Sequence, residues 1–443
     1  MGNRISHHRA RLTLCLSVCL TFSAFAQQKE KPQLKNFGES LKRIKWDPER
    51  KAAVETKPSS DSQASPETDV VRVETSLVTD DVLILDAHGN PVKGLTNRDF
   101  VITEEGRSQR VGMFSLGDDV NVPRTIVLIF DYHCAQLPFL KASIAAAKTL
   151  VDKLEPNDRM AIVTDDIELL QSYTSNKQTL KDSLDNLVKR TNFDPQAFYN
   201  GTQRPPLGRG FVYSALMAVL REAFDDEDQR PIIIFQTDGD EAYLLRDPIV
   251  VPTMPPGVSG TMRKTVESNL KHFRQFQKKN QRDFSLNDVY KTAEQTRATI
   301  YTVVPGFRLL GLSDEESLAG VKEYFATTDY LGLPGGRPAR DRWTRVPEAT
   351  LRFAAQERIK TQSALAVLST VTGGWIEFLN RPSQADEIYS RILTDINKRY
   401  IVGYYPTNKE HDGKRRKISI TVRDHPEYIV MGRKAYYAPD PNQ

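Results

Sequence analysis

The side chains best suited to chemistry stand at the ends of two apolar runs. Asp131 closes the run Thr125–Phe130, and His133 and Cys134 follow it in TIVLIFDYHCA. Asp238 closes the run Ile232–Gln236, within Thr237-Asp238-Gly239-Asp240. Two aspartates with a histidine are donors on which a metallohydrolase can be built, the metal supplying an activated water. His133 and Cys134 beside Asp131 also have the composition of a thiol triad. Neighbours on a strand exit point different ways, however, and catalytic Cys and His come from distant segments. No HExxH, GxSxG or Walker loop accompanies these residues. Gly208-Arg209-Gly210 and Gly335-Gly336 are too sparse to indicate a nucleotide cradle.

A scaffold must position these groups. Thr125–Phe130 is apolar and β-branched almost without interruption, the signature of a strand buried on both faces in a parallel sheet. Pro138 then opens a helical stretch, Leu137–Leu154. A carboxylate at that junction lies on the carboxyl edge of the sheet, where open α/β sheets bind ligands. The alternation continues with strand Met160–Thr164, an edge segment near Leu169–Tyr173 and helix Lys177–Lys189. Helix Phe211–Phe224 follows a Gly/Pro-rich loop, Asn200–Gly210. Strands Ile232–Gln236, Thr299–Val304 and Gly374–Phe378, with helices Thr361–Thr370 and Gln384–Lys398, complete an α/β domain over residues 121–400. Two segments, at about 243–297 and 306–358, exceed what the alternation needs and read as insertions. The basic stretch Lys271–Arg282 in the first reads as a solvated helix face.

The flanks differ in character. Residues 70–120 alternate at the strand period and predict a small β-unit of about four strands, too few to be stable alone. Residues 401–443 offer further strands, Lys417–Val422, Tyr428–Val430 and Ala435–Tyr437, so both ends are expected to pair into one sandwich. Tyr400, Tyr404 and Tyr405 read as its seam with the α/β domain, and Trp375 as core. Residues 27–69 are rich in Lys, Glu, Pro, Ser and Gln and read as a disordered linker with one apolar island, Leu41–Trp46. Residues 1–26 read as a secretory signal peptide: Arg4, Arg9 and Arg11, an apolar run, then Ala24-Phe25-Ala26 before a cleavage at Gln27. Removing three arginines lowers the net charge from +4 to +1, which makes no electrostatic case for nucleic acid. Cleavage also removes Cys15 and Cys19, leaving Cys134 as the one thiol and no internal disulfide. No other stretch is suited to a membrane span.

The strand ending in Asp131, the later strand ending in Thr237-Asp238-Gly239, and the flanks VKGLTNRDFVITEEGRSQRVGMFS, RYIVGYYPTNKEHDGKRRKISITV and GRKAYYAP together resemble the VWFA-related (von Willebrand factor type A) proteins of the acidobacterial type. The resemblance runs from about Val71 to Pro439. It implies a Rossmann-like von Willebrand A domain, a mostly parallel sheet with helices on both faces, beside a β-rich, sandwich-like unit built from N- and C-terminal strands. It also implies a place for one divalent cation, bound by Asp-x-Ser-x-Ser, a Thr and an Asp from three loops. One coordination position there stays open for an acidic residue of a partner protein.

Asp131 and Asp238 match the two aspartates of that pattern. His133 and Ala135 stand at the serine positions, and Gly210 aligns with the Thr, so three of five side-chain ligands are absent. Three readings follow. The site is vestigial; or it persists in altered form on Asp131, His133 and Asp238 with Asp165 or Asp240; or these residues are structural and Asp238 caps the next turn. Mg, Ca or Mn would suit the carboxylates, and Zn or Ni would suit a site with His133 as ligand. The resemblance implies an exported binding module for another protein or a matrix component, with no catalytic residues and a degenerate metal-ion-dependent adhesion site. The alternative is a periplasmic metal-dependent hydrolase using Asp131, His133 and Asp238.

Overall fold

The computed structural model describes residues 44–47, 52–55, 77–119, 121–132, 137–190, 210–224, 230–251, 253–327 and 347–439. Residues 1–26, expected to form a signal peptide, lie outside them, as do His133, Cys134, Ala135, Gly208, Gly335 and Gly336. Within the stretch whose composition predicts a disordered linker, β1 (Ile44–Asp47) and β2 (Ala52–Glu55) pair as an antiparallel hairpin. The correction has a simple source: Ile44/Trp46 and Ala52/Val54 repeat at the strand period inside an otherwise polar stretch.

The sandwich begins with β3 (Val78–Leu85), β4 (Phe100–Glu104), β5 (Arg107–Gln109) and β6 (Val111–Leu116). The α/β unit follows with β7 (Arg124–Phe130), α1 (Leu137–Asp152), β8 (Arg159–Thr164), β9 (Leu169–Thr174), α2 (Lys177–Arg190), α3 (Val212–Glu222) and β10 (Arg230–Gln236). It continues through α4 (Gly260–Asn280), α5 (Leu286–Thr296), β11 (Thr299–Pro305), α6 (Asp314–Thr327), α7 (Glu348–Val371), β12 (Ile376–Leu379) and α8 (Ala385–Lys398). The chain then returns to the sandwich in β13 (Tyr400–Tyr404), β14 (Arg415–Val422), β15 (Ile429–Met431) and β16 (Ala435–Tyr437).

β7 lies in the middle of a six-stranded sheet ordered β12-β11-β10-β7-β8-β9, and every one of its residues is buried. All neighbouring pairs are parallel except β8 with β9. Alternate side chains enter opposite layers. Val127 and Ile129 pack with α3 and α5, while Ile126, Leu128 and Phe130 pack with α1, α2 and α8. The continuous apolar run thus reflects a strand with helices on both sides. This strand order, with one antiparallel edge strand, gives a von Willebrand A-like fold.

Two sequence boundaries move. Residues 243–297 are not all insertion, because α5 buries Val289 and Ala293 in the main core and forms part of the crossover from β10 to β11. A capping box at Ser285 and Asp288 starts it, a local signal readable in FSLNDV. Helix α7 starts at Glu348, not Thr361, so its first turns belong to the presumed second insertion. Pro347 stands at its N-cap, and the residues after it carry good helix formers.

The sandwich packs the sheet β15-β3-β13-β6 against β16-β14-β4-β5. N- and C-terminal strands pair directly, as in Ile102↔Ile420 and Val402↔Asp80. Strand β14 alternates exposed and buried residues along its whole length. Its core holds Val82, Ile84, Phe100, Ile102, Ile418 and Ile420 together with Tyr400 and Tyr404. This corrects the tyrosine seam. Tyr400 stacks near Phe100 and Phe114 and donates to the Val92 carbonyl at 3.0 Å. Tyr404 donates to Glu104 at 2.8 Å, and Tyr405 is exposed.

The real seam is built on arginine. Arg230, 1% exposed at the start of β10, donates to Asp81 Oδ2 (2.9 Å) and to the carbonyls of Gly117 (2.7 Å) and Ile396 (3.0 Å). Arg399 binds both oxygens of Asp395 at 3.1 Å and the Asp81 carbonyl at 2.9 Å. Trp375 donates its indole N–H to the same Asp395 at 2.5 Å and meets Tyr301 edge-on. Planar guanidinium groups supply enough donors to satisfy carbonyls and carboxylates from both units at once. The seam lies at the amino edge of the parallel sheet, opposite Asp131 and Asp238.

Candidate functional site

Asp131 is fully buried where β7 ends. Its N–H donates to the Gln236 carbonyl at 3.0 Å, and its Oδ2 accepts the Thr237 hydroxyl at 2.7 Å. Thr237 Oγ1 in turn accepts the Gly239 N–H at 2.9 Å. The turn bond therefore comes from Thr237, one residue before the aspartate expected to cap it. Gly239 has φ +78°, and a Cβ there would sit 2.6 Å from the Thr361 methyl. Helix α7 packs directly on this loop. Gly239→Ala is expected to cost about 2 kcal/mol through the left-handed backbone and the overlap. Thr361→Ser in the same chain removes the methyl and restores part of that loss, as urea unfolding of the single and double variants would show.

Asp165, also fully buried, organises the second loop. Its N–H donates to the Phe130 carbonyl at 3.0 Å, and its Oδ2 accepts the Gly210 N–H at 2.7 Å. The Tyr132 N–H approaches its Oδ1 at 3.4 Å. Gly210, at the position aligned with the coordinating Thr, adopts φ +67° and contributes backbone only. Tyr132 donates its hydroxyl to Asp166 at 2.9 Å. Burial, then the neighbouring Asp166 and Asp165 charges, pushes that phenol well above its usual range.

Glu241 ties the third loop to α3. It is fully buried and accepts from the Ser214 N–H at 2.8 Å and the Ser214 hydroxyl at 2.5 Å. The Ser214 amide belongs to the first turn of α3, where N–H groups lack intrahelical partners. Arg282 completes the cluster, donating Nε–H to Glu241 Oε1 at 2.5 Å with its guanidinium over the Phe211 ring at 4.3 Å. By sequence Arg282 ends a basic run expected to face solvent. Here it is 9% exposed and paired, because the chain turns inward between α4 and α5. Tyr213 lies beside this cluster, and burial raises its phenol well above the ordinary value, with Tyr290, Glu241 and Asp238 adding to the effect.

Asp238 is nearly fully buried, and the Arg358 guanidinium on α7 lies 3.6 Å from its Oδ2. Helix α7 runs across the carboxyl edge between Thr350 and Gln362. Gln362 donates to the Phe307 carbonyl (3.0 Å) and accepts the Leu309 N–H (2.9 Å), and Thr350 donates to the Pro256 carbonyl (2.7 Å). Thus the structure brings Asp131, Asp238, Asp165 and Gly210 to one edge, roofed by α7. His133, the third predicted ligand, is outside the described residues, as is the side chain of Asp240.

The described groups do not fit a hard divalent ion. Such an ion needs about six oxygens. Both Asp165 oxygens face backbone N–H groups, Gly210 has no side chain, and a guanidinium stands beside Asp238. Among the described residues no group of three or more His, Cys, Asp or Glu is placed to hold a metal.

No protein-family model matches the sequence. No curated protein matches it either. Among solved structures, the chain is similar to the conserved hypothetical protein BatB of Bacteroides thetaiotaomicron, at 14% identity and TM-score 0.28, covering 62% of this chain and 98% of that one. An aerotolerance-related membrane protein of Bacteroides fragilis is similar at 14% identity and TM-score 0.28, covering 62% and 99%. The manganese-loaded TRAP protein of Plasmodium vivax is similar at 11% identity and TM-score 0.25, covering 76% and 98%. These likenesses concern fold alone. No helix among the described residues is long and apolar enough to cross a membrane.

Proposed function

We propose that this chain is an exported binding module of the VWFA-related, acidobacterial type, engaging another protein or a matrix component without catalysing a reaction. Its place is outside the cytoplasm, periplasmic or secreted after cleavage at Gln27. The observation that carries the reading is the placement of the seam. Buried arginines weld the sandwich to the amino edge, and the loops that vary in such a fold gather at the opposite edge with α7. The metal-ion-dependent adhesion site on Asp131, His133 and Asp238 is degenerate: of these, the described donors Asp131 and Asp238 serve the loops rather than an ion. The rival hydrolase needs a metal on those same residues, and the described ones are committed to hydrogen bonds and an ion pair.

Site-specific photo-crosslinking in the cells that make the protein tests this reading. Leu312 is exposed in the loop after β11, and Ile429 is exposed on the sandwich. A photoreactive residue at 312 is expected to capture a discrete protein, one at 429 none, and the recovered chain to begin at Gln27. Equal capture at both positions, or none at 312, contradicts the reading, as does an uncleaved N-terminus.

A further inference from the structure

We propose that Arg358 takes the place that a divalent ion would occupy beside Asp238, so that the carboxyl edge is held together by an internal cation. Three observations support this. The guanidinium Nη1 lies 3.6 Å from a carboxylate oxygen that is almost wholly buried, while about one third of the arginine side chain remains exposed. Its Nη2 lies close to Gly306, where a Cβ would approach to 3.7 Å; the backbone there has φ +106°. The guanidinium thus packs beside the loop after β11, where a glycine holds that backbone without strain. Finally, Arg358 is carried by the part of α7 that Gln362 and Thr361 fix against the loops after β11 and β10.

The consequence is electrostatic. A buried carboxylate needs a compensating charge or several donors. An ion supplies that charge only while it is bound, whereas an arginine stays protonated at every physiological pH and cannot be chelated. A second cation entering beside the guanidinium would be repelled at a few ångströms in a poorly screened place. The edge is therefore independent of divalent ions, and whatever docks there does so without an ion bridging the two proteins. This inference deepens the binding reading and uses its face, but it is tested through stability, so either can fail alone.

The experiment is thermal unfolding of the mature chain in chelator and with added Mg²⁺, Ca²⁺, Mn²⁺ or Zn²⁺, for wild type, Arg358→Lys, Arg358→Gln and Arg358→Gln with Asp238→Asn. Wild type is expected to unfold at one temperature in every buffer. Arg358→Gln is expected to unfold about 5 °C lower, and Arg358→Lys closer to wild type. Adding Asp238→Asn to Arg358→Gln should recover part of the loss, because the stranded charge disappears. A rise of the wild-type midpoint with any of the four ions overturns the proposal. So does an Arg358→Gln chain that unfolds with wild type, or a loss that Asp238→Asn leaves unchanged.

Discussion

Arg399→Ala is expected to destabilise the protein by about 3–5 kcal/mol, the cost of leaving a buried carboxylate without its partner. Arg399 is 1% exposed and holds both oxygens of Asp395, itself 6% exposed, while reaching across to the Asp81 carbonyl. Its loss strands Asp395 with the Trp375 indole as its other donor, and removes the arginine's hydrogen bond to the Asp81 carbonyl of the sandwich. The effect should spread beyond one unit. Arg230 binds Asp81, Gly117 and Ile396 in the same seam, and Gly117 donates its N–H to the Arg399 carbonyl at 2.7 Å. Guanidinium unfolding followed separately by Trp375 fluorescence and by hydrogen exchange in β13 should show both units moving to lower denaturant together. Asp395→Asn in the Arg399→Ala chain should return part of the stability, since the amide is neutral. A drop confined to the α/β unit would mean that the sandwich stands without the seam.

Glu241→Ala should have an effect of similar size, about 3–5 kcal/mol, and it should appear at the carboxyl edge. The carboxylate neutralises Arg282, caps the first turn of α3 through Ser214 and joins the loop after β10 to the segment between α4 and α5. Removing it leaves a buried guanidinium above Phe211 and an open amide at a helix N-terminus, where a negative charge is also favoured by the helix dipole. Urea unfolding gives the magnitude. Hydrogen exchange gives the location: the Ser214 amide and the first turn of α3 should lose protection, while β7 and the sandwich strands keep theirs. Glu241→Gln should be intermediate, because its single amide oxygen can replace only one of the two accepting carboxylate oxygens and carries no charge. Arg282→Met should be milder than Glu241→Ala if Ser214 retains the carboxylate, so comparing the pair divides the ion pair from the cap.

The spacing of four between Asp395 and Arg399 is legible as a pair, but neither the reach of Arg399 to Asp81 nor the Glu241 cluster is visible in the order of residues. Arg282 closes a run of lysines and arginines, and composition alone assigns it to solvent. Arg358 lies more than fifty residues after β11 in a stretch read as insertion, and nothing near it in sequence suggests Asp238. The tyrosines after α8 have the size and amphipathic character expected at a seam. Tyr400 and Tyr404 turn inward instead, because β13 is an interior strand of its sheet, flanked by β3 and β6, while Tyr405 just beyond it is exposed. The Ser285 capping box and the helix formers after Pro347 were legible signals for α5 and the start of α7.

What the sequence determined by itself is local and periodic. Unbroken apolar runs placed β7, β8, β10 and β11 as buried strands, and the period-two pattern of β14 placed one face of the sandwich. The Asp after β7 and the Asp after β10 were legible as neighbours at one edge, because parallel strands bring their carboxyl ends together. Only the tertiary structure decided which charged side chains are buried and whom they meet. Pairing an arginine with a carboxylate tens or hundreds of residues away depends on how helices and loops close over the sheet. That closure set Arg230 against the Asp81 carboxylate and Arg399 against the Asp81 carbonyl in the seam, Arg282 against Glu241 and Arg358 beside Asp238. Burial raises the cost of an unpaired charge far above its cost in water, so the same residue type is decoration on the surface and a fastening inside.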